Sequence, residues 1–258
     1  MSPHRKLLIL YTSVIASIYL SSFYIEISMI WYAIVTVPYV LFLAFASLNL
    51  NLNFFTISHI EGKANEMSVA LSFDDGPDPE HTPAVLDILK QHKIQAAFFC
   101  IGKKIKKQDK ILSRIDREGH VIGNHSFAHN TLLDFMPPFL VKKDLSKTMK
   151  LIAANIGKNP ILYRPPFGVM TPSMALAIRD LKLKTIGWNN RSYDTTLLTD
   201  DIILERIEKN LKPGGVILLH DHLPRQAQLL PKLIALLKEK SYNIVRLDNL
   251  LEIEPYES

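Results

Sequence analysis

Apolar residues are distributed unevenly and set the first 48 residues apart from the rest of the chain. Between Leu7 and Leu48 the only charged residue is Glu26. This stretch divides into two apolar segments, Leu7–Ile25 and Ile27–Leu48, each close to the roughly 20 residues that a helix needs to cross a bilayer. We therefore predict a membrane anchor over residues 1–48, made of one or two transmembrane helices.

Two other interpretations of the apolar region fit it less well. A cleavable signal peptide would explain why Arg5 and Lys6 precede an apolar stretch, but the stretch is too long and no small-residue cleavage site follows it. A pair of buried core helices would need polar faces, which these segments lack. The positive-inside rule places the N-terminus in the cytoplasm. Two crossings would then return the chain to the cytoplasm, whereas a single crossing, or a hairpin with its N-terminus outside, would leave it outside.

A different pattern begins at residue 66, after an Asn- and Ser-rich stretch, 49–65, that we interpret as a linker. From there to residue 258, short β-rich apolar runs alternate with amphipathic helical segments. Such alternation is typical of a parallel α/β fold, either open or closed into a barrel. The predicted strands are Ser68–Phe73, Ala96–Ile101, His120–Gly123, Ile161–Arg164, Lys184–Trp188, Val216–His220 and Asn243–Leu247. The predicted helices are Pro83–Lys90, Pro138–Asn155, Thr171–Asp180, Thr199–Asn210 and Pro224–Lys240.

Composition narrows the classes of function. The net charge of the 258-residue chain is only +5, and its basic residues form no pattern typical of nucleic-acid binding. We therefore expect no nucleic-acid partner. A single cysteine, Cys100, excludes an internal disulfide framework and a zinc site built from cysteines.

Polar side chains suited to catalysis follow five of the predicted strands. The carboxyl ends of parallel strands meet at one edge of a sheet or one mouth of a barrel, where α/β enzymes place their chemistry. The following residues are therefore expected to lie close together: Asp74 and Asp75, His125 and His129, Arg164, Asp194, and His220.

The carboxylate pair and the histidine pair predict a site for a divalent metal ion. His125 and His129 are four residues apart and would share a face on a helical turn. Two imidazoles and one carboxylate are a common ligand set that leaves a position open for water or substrate. A histidine pair alone could also be two hydrogen-bonded surface residues. Asp74 and Asp75 strengthen the metal interpretation, because adjacent carboxylates are both ionised cheaply only near a cation.

These residues also suggest a division of roles in hydrolysis. One aspartate would bind the metal, and its neighbour would take a proton from the attacking water. The leaving group needs a proton donor on the opposite side. His220 is the candidate, with Asp194 to orient its imidazole and raise its pKa.

At these positions the chain resembles the polysaccharide deacetylases, the NodB-homology domain of carbohydrate esterase family four. Ser72–Gly76 (SFDDG) looks like the family's first motif, T-F-D-D-G, and His125–His129 (HSFAH) matches the second, H-[ST]-x-x-H. Arg164–Gly168 (RPPFG) matches the third motif and Leu218–His220 (LLH) the fifth. The resemblance covers about 66–250, and it is specific because the motifs follow one another in the family's order.

The resemblance implies a fold, an activity and a set of roles. The implied fold is a distorted (β/α) barrel of about seven strands, and the implied cofactor is a divalent metal ion. Zinc is the expected ion, with cobalt and nickel as alternatives. The implied roles are catalytic base for Asp74, metal ligands for Asp75, His125 and His129, partner of the base for Arg164, oxyanion donor for the backbone N–H near Phe167, general acid for His220, and tuning of that acid for Asp194.

The chain departs from the family at its fourth motif. In better-known members the aspartate of this motif is followed by a tryptophan that lines the acetyl pocket, whereas here Thr195 follows Asp194. Trp188 lies upstream and is not assumed to replace it. Activity is still expected, but the shape of the substrate pocket is not predictable from the motif.

The resulting hypothesis is a metal-dependent hydrolase that removes N-acetyl groups from amino sugars in a polysaccharide, in peptidoglycan or in a lipid-linked saccharide. Its expected partners are this N-acetylated glycan and the membrane. The alternatives are a metal-dependent amidase acting on a formyl or ureide group, and an inactive glycan-binding membrane protein. We expect the catalytic domain outside the cytoplasm, where the family's usual substrates lie; the cytoplasmic face is the alternative.

Overall fold

The computed structural model of the protein describes residues 2–63 and 67–257. The predicted start of the catalytic domain at residue 66, and the end of the predicted linker at residue 65, lie outside these described residues. The strands within them are β1 Ser58–His59, β2 Ser68–Asp74, β3 Ala97–Cys100, β4 Val121–Asn124, β5 Leu162–Tyr163, β6 Lys184–Ile186, β7 Asn190–Arg191, β8 Gly215–His220 and β9 Asn243–Ile244. The helices are α1 Pro3–Ser21, α2 Met29–Ser47, α3 Thr82–Gln91, α4 Gly102–Ile105, α5 Asp109–Arg117, α6 Pro138–Ile156, α7 Pro172–Asp180, α8 Asp200–Lys209, α9 Gln226–Glu239 and α10 Leu247–Leu251.

The strands form one sheet in which every named pair is parallel. The order along the sheet is β1-β6-β5-β4-β3-β2-β8-β7, and β9 pairs with the amino end of β2. Strand β1 lies at one edge of this order, and the residues after it reach β8, near the opposite edge. There Gly62 N–H donates a hydrogen bond to the carbonyl of Gly214 (2.8 Å), and Glu61 forms an antiparallel bridge with Gly215. The predicted parallel α/β architecture is confirmed, and its half-barrel of parallel strands is consistent with the implied (β/α) barrel of about seven strands. The described residues form nine strands, four of which are only two residues long.

The central strand β2 shows why this sequence forms a buried parallel strand. All seven of its residues are buried, as expected for a strand covered on both faces. Leu71 and Phe73 belong to the core under helices α3, α5, α8 and α9, whereas Ala70 packs on the opposite face. Because side chains alternate along a strand, Ser72 and Asp74 point to the same face as Ala70. The strand therefore aims a carboxylate into the interior at its carboxyl end.

The two N-terminal helices pack against each other as a hairpin. The rings of Tyr11 and Tyr39 stack with centroids 4.0 Å apart, and Tyr11 is hydrogen-bonded to Thr36. Within the described residues, only α2 is long and apolar enough to cross a membrane, with a mean hydropathy of 2.0. Helix α1 overlaps the other predicted span, Leu7–Ile25, but runs from Pro3 to Ser21, so that it includes the basic residues near the N-terminus and ends before Ile25.

The segment predicted as a linker packs on the rest of the fold. Its strand β1 pairs with β6, and Phe54 and Phe55 are buried in a cluster with Met170 and Met174. The sequence analysis did not anticipate this strand, because only two residues form it. The segment therefore holds the N-terminal hairpin against the α/β unit.

Candidate active site

Asp74 and Asp75 converge because the backbone turns between them. Successive side chains of a strand point to opposite faces. Asp75 follows β2 with φ = 73°, a left-handed conformation, and this turn brings its carboxylate back toward that of Asp74. As a result, His125 Nε2 lies 3.8 Å from Asp74 Oδ2 and 3.5 Å from Asp75 Oδ1.

The two histidines converge without a helix. His125 follows β4, and the chain then bends through left-handed conformations at Ser126 (φ = 63°) and His129 (φ = 46°). Two side-chain contacts fix this loop: Ser126 N–H donates to Asn124 Oδ1, and His129 N–H donates to Ser126 Oγ, both at 2.9 Å. The predicted helical turn was wrong, but the predicted proximity of the rings is correct, with centroids 5.0 Å apart.

Asp75, His125 and His129 fit a divalent metal ion. One ligand atom from each lies within 4.8 Å of the others, and His129 Nε2 is 3.0 Å from Asp75 Oδ1. Ligand atoms of a tetrahedral zinc ion lie roughly 3.4 Å apart. His125 Nδ1–H donates to the carbonyl of Arg164 (2.8 Å), which leaves the Nε2 lone pair toward Asp75. Asp75 Oδ1 is buried and accepts no hydrogen bond from the described residues.

The surroundings of Asp75 favour its charged form. Burial alone would raise its pKa, but the adjacent imidazoles of His125 and His129 outweigh burial and hold the pKa of Asp75 well below its usual range. This carboxylate is therefore available as an anionic ligand across the physiological pH range.

Asp74 is held by a fully buried arginine. Arg164 is 0% exposed and donates to Asp74 Oδ1 at 2.8 Å. Its remaining hydrogen bonds go to Ser72 Oγ (2.9 Å) and to the carbonyls of Ile186 (3.3 Å) and Gly187 (3.0 Å). The two adjacent aspartates thus have different partners: a guanidinium for Asp74 and two imidazoles for Asp75.

His220 and Asp194 form a second pair on the other side of the cluster. Asp194 Oδ1 lies 2.7 Å from His220 Nδ1, and its Oδ2 accepts the backbone N–H of His220 (2.8 Å) and the amide of Gln226 (2.6 Å). Burial lowers the pKa of His220, but the hydrogen bond and charge of Asp194, with the charges of the other aspartates, raise it above the usual value. Asp194 follows β7, a strand that the sequence analysis missed; β7 runs parallel to β8, which ends at His220.

Phe167 and Trp188 border the cluster. Phe167 is half exposed, has φ = 58°, and its ring lies 4.7 Å from that of His129. Gly168 approaches Trp188 so closely that a Cβ there would lie 2.8 Å from the indole ring. Thr195, at the position of the family's tryptophan, is exposed. The oxyanion role of the Phe167 backbone stays a prediction.

Several polar residues at the site were not singled out from the sequence. Ser72 bridges Arg164 to the carbonyl of Ile217, and Gln226 holds Asp194. Asp221 is fully buried behind Gly76, where burial raises its pKa to about 7 despite a hydrogen bond from Thr82 (2.5 Å). Their only sequence signal was closeness to a motif or to a strand end, which many structural residues share.

The fold and the site together define a class of protein. A parallel α/β sheet gathers carboxylates, imidazoles and a buried arginine at the carboxyl ends of its strands, with one group suited to hold a metal ion and two suited to proton transfer. This arrangement is typical of hydrolases that activate water. The comparisons with known proteins identify the family.

Residues 61–186 match the family model described as polysaccharide deacetylase. The chain is 34% identical over 195 residues to a peptidoglycan-N-acetylglucosamine deacetylase of Bacillus cereus, which covers 74% of this chain and 70% of that protein. The chain therefore belongs to the polysaccharide deacetylase family, as its motifs predicted. It is accordingly a hydrolase of carbon–nitrogen bonds other than peptide bonds, and this prediction is confirmed.

Solved structures agree with this assignment. The crystal structure of the Bc1960 peptidoglycan N-acetylglucosamine deacetylase superposes with a TM-score of 0.73 at 33% identity, covering 78% of this chain and 95% of that one. A CE4 (carbohydrate esterase four) family pseudoenzyme from Bacillus anthracis superposes with a TM-score of 0.69 at 26% identity, covering 74% of this chain and 67% of that one. The family thus includes an inactive relative as well as enzymes.

Proposed function

We propose that the protein removes N-acetyl groups from amino sugars of a glycan, with a divalent metal ion held by Asp75, His125 and His129. The observation that carries the proposal is the convergence of these three side chains beside the Asp74–Arg164 pair. The names of the relatives support an N-acetylated sugar as substrate, because they are deacetylases of peptidoglycan and of chitooligosaccharides.

The side chains divide the work of amide hydrolysis between them. When bound, the cation supplies positive charge that polarises the amide carbonyl and makes water acidic enough to react near neutral pH. Asp74, fixed by Arg164, accepts the proton of the attacking water. His220 carries a proton to the leaving amine, and Asp194 stabilises the protonated ring. We assign to the backbone N–H at Phe167 the hydrogen bond to the oxygen that becomes negative.

Zinc is the ion we propose, with cobalt and nickel as alternatives. Two imidazole nitrogens and one carboxylate oxygen form a donor set that suits zinc, and three protein ligands leave room for water and substrate. Metal analysis of the protein purified without chelators tests this, and the expected result is about one divalent ion per chain.

We propose that the N-terminal hairpin anchors the enzyme in a membrane. The supporting observation is α2, whose 19 residues would span about 28 Å and whose side chains are almost all unburied. We place the catalytic domain outside the cytoplasm, because the named relatives act on peptidoglycan. Because the hairpin brings His4 next to Phe54, both of its ends lie on one side, and this placement requires a hairpin with its N-terminus outside. Arg5 and Lys6 inside would instead place the domain in the cytoplasm. An enzymatic reporter fused to the C-terminus distinguishes these two sides.

Acetate release from N-acetylated oligosaccharides, with and without added zinc or cobalt, tests the activity. Asp75→Ala should lose the metal and the activity together, whereas Asp74→Asn should keep the metal and lose turnover. Turnover by Asp74→Asn at a near-normal rate would show that another group is the base. If the wild-type protein with bound metal released no acetate from any N-acetylated sugar, the proposal would fail.

The same experiment addresses the alternatives. An inactive binding protein is disfavoured by the complete set of side chains at the site, since Asp74, Asp75, both histidines, Arg164 and His220 are all in place. An amidase for another acyl group would share this set. Formyl and ureide analogues of the same sugars, assayed beside the N-acetyl compounds, would identify it by a higher kcat/KM.

A further inference from the structure

A groove of about 530 Å³ connects the candidate active site with the end of the apolar helix α2. At one end are Phe167, which contacts the proposed ligand His129, and Tyr193, which precedes Asp194. At the other end are the residues 48–51, which directly follow the last residue of α2. One depression is therefore lined both by residues that neighbour the reacting groups and by the segment nearest the proposed membrane.

The lining of this groove suits a saccharide. Trp188 offers an aromatic surface for the apolar side of a sugar ring, and Asn49 and Asn51 are amide-bearing residues suited to its hydroxyl groups. Arg191 is exposed beside both rings, 5.8 Å from Trp188 and 5.0 Å from Tyr193, and it pairs with no carboxylate in the described part of the chain. Such an arginine can bind an anionic group such as a phosphate.

Buried side chains and backbone hydrogen bonds dock the hairpin on the α/β unit beside this groove. Ala46, near the end of α2, is buried in one cluster with Phe54, Phe55 and Met174. Backbone hydrogen bonds join Met170 N–H to the carbonyl of Ser47 (2.9 Å) and His4 N–H to that of Phe54 (3.2 Å). A flexible tether would let the site reach distant glycan strands, whereas a docked hairpin keeps the site near the membrane surface.

We infer that the substrate is a saccharide linked to a lipid in the same membrane, with its sugars in this groove and its lipid end beside residues 48–51. The inference rests on the proposed function, since it assumes that the site deacetylates amino sugars and that α2 lies in a bilayer. It narrows the substrate class: the enzyme acts on glycans that are still attached to a membrane lipid.

Thiol protection tests the groove without relying on turnover. The only native cysteine, Cys100, is fully buried and burial raises its pKa, so an introduced cysteine dominates maleimide labelling. Asn51→Cys places a thiol in the groove, and Leu52→Cys places one on the neighbouring residue, which does not line it. The full chain is reconstituted in vesicles containing N-acetylchitotetraose attached to a long-chain lipid.

The expected result is at least a tenfold slower labelling of Asn51→Cys and no change for Leu52→Cys. The same glycolipid in separate vesicles, or soluble N-acetylchitotetraose at the same bulk concentration, should protect little, because a shared membrane raises the local concentration. Equal protection by the soluble sugar would overturn the lipid-linked assignment. No protection by any of these sugars would overturn the groove itself.

Acetate release in parallel separates this inference from the proposed function. If the wild-type chain released acetate but Asn51→Cys stayed unprotected, the deacetylase proposal would stand and the groove would fail. If Asn51→Cys were protected but the wild-type chain released no acetate, the groove would stand and the deacetylase proposal would fail. Asn51→Trp, which fills the groove, should lower kcat/KM for the glycolipid at least tenfold, whereas Leu52→Trp should leave it within twofold.

Discussion

The ion pair between Arg164 and Asp74 gives the most direct test of the site's internal structure. Arg164 is 0% exposed, and its guanidinium donates hydrogen bonds to Asp74, Ser72 and two backbone carbonyls. It also lies over the ring of Phe99, 4.1 Å from its centroid. Arg164→Met keeps much of the side-chain volume but removes every donor, so Asp74 keeps a buried charge without its counter-ion.

The expected loss of stability is large. Removing one partner of a buried ion pair typically costs about 3–5 kcal/mol. Arg179→Met is the matched control, because Arg179 is 66% exposed and pairs with Asp180 at only 3.5 Å. Exposed pairs contribute about 0.2–1 kcal/mol, so this control should change the free energy of unfolding by less than about 1 kcal/mol.

Urea unfolding of the full chain in one detergent, followed by circular dichroism, measures both variants. A chelator is present throughout, so that no bound cation compensates Asp74. Adding Asp74→Asn to Arg164→Met removes the unpaired charge and should recover part of the loss, which a double-mutant cycle quantifies. A loss below about 1 kcal/mol for Arg164→Met, or no recovery in the double variant, would refute the buried ion pair.

Three other perturbations test separate parts of the site. Asp194→Asn should lower the pKa of His220, because the carboxylate of Asp194 raises that pKa. The alkaline limb of the kcat/KM profile, where the acid loses its proton, should therefore move to lower pH. An unchanged alkaline limb would contradict this pairing. Gly168→Ala should destabilise the protein by about 1–3 kcal/mol more than Gly157→Ala. Both glycines have φ above +70°, but only at Gly168 would a Cβ press against Trp188. Equal losses of stability in the two variants would contradict that contact. Removing the metal with a chelator should lower the melting temperature, because an ion at 100 times its Kd adds about 2.7 kcal/mol; an unchanged melting temperature would show that the native protein holds no ion.

The sequence was sufficient to predict that the proposed catalytic side chains lie close together. Strands that are buried on both faces appear in the sequence as short apolar runs, and parallel strands place their carboxyl ends at the same edge of the sheet. Asp74 and His220 therefore had to meet, and they are directly paired in the register of β2 with β8. Local patterns also predicted a helix over Pro138–Asn155, and α6 runs from Pro138 to Ile156, because its apolar residues recur at helical spacing over several turns.

Short and polar elements could not be predicted in the same way. Strand β7, which positions Asp194, consists of Asn190 and Arg191, and neither residue type favours a strand. Strand β1 has two residues within a stretch that reads as a linker. Both are strands only because a neighbouring strand offers free hydrogen-bonding groups, which is a property of the assembled sheet and not of the local sequence.

The geometry of the site depends on backbone conformations that the residue pattern does not predict. Left-handed φ values occur around the reacting groups at Asp75, Ser126, His129, Phe167 and Tyr193. Each costs about 1–3 kcal/mol outside glycine and persists only where the surrounding contacts enforce it. Without the turn at Asp75, strand alternation would send the adjacent carboxylates to opposite faces. These strained conformations lower stability, but they give two neighbouring aspartates different partners, as the proposed roles of base and metal ligand require.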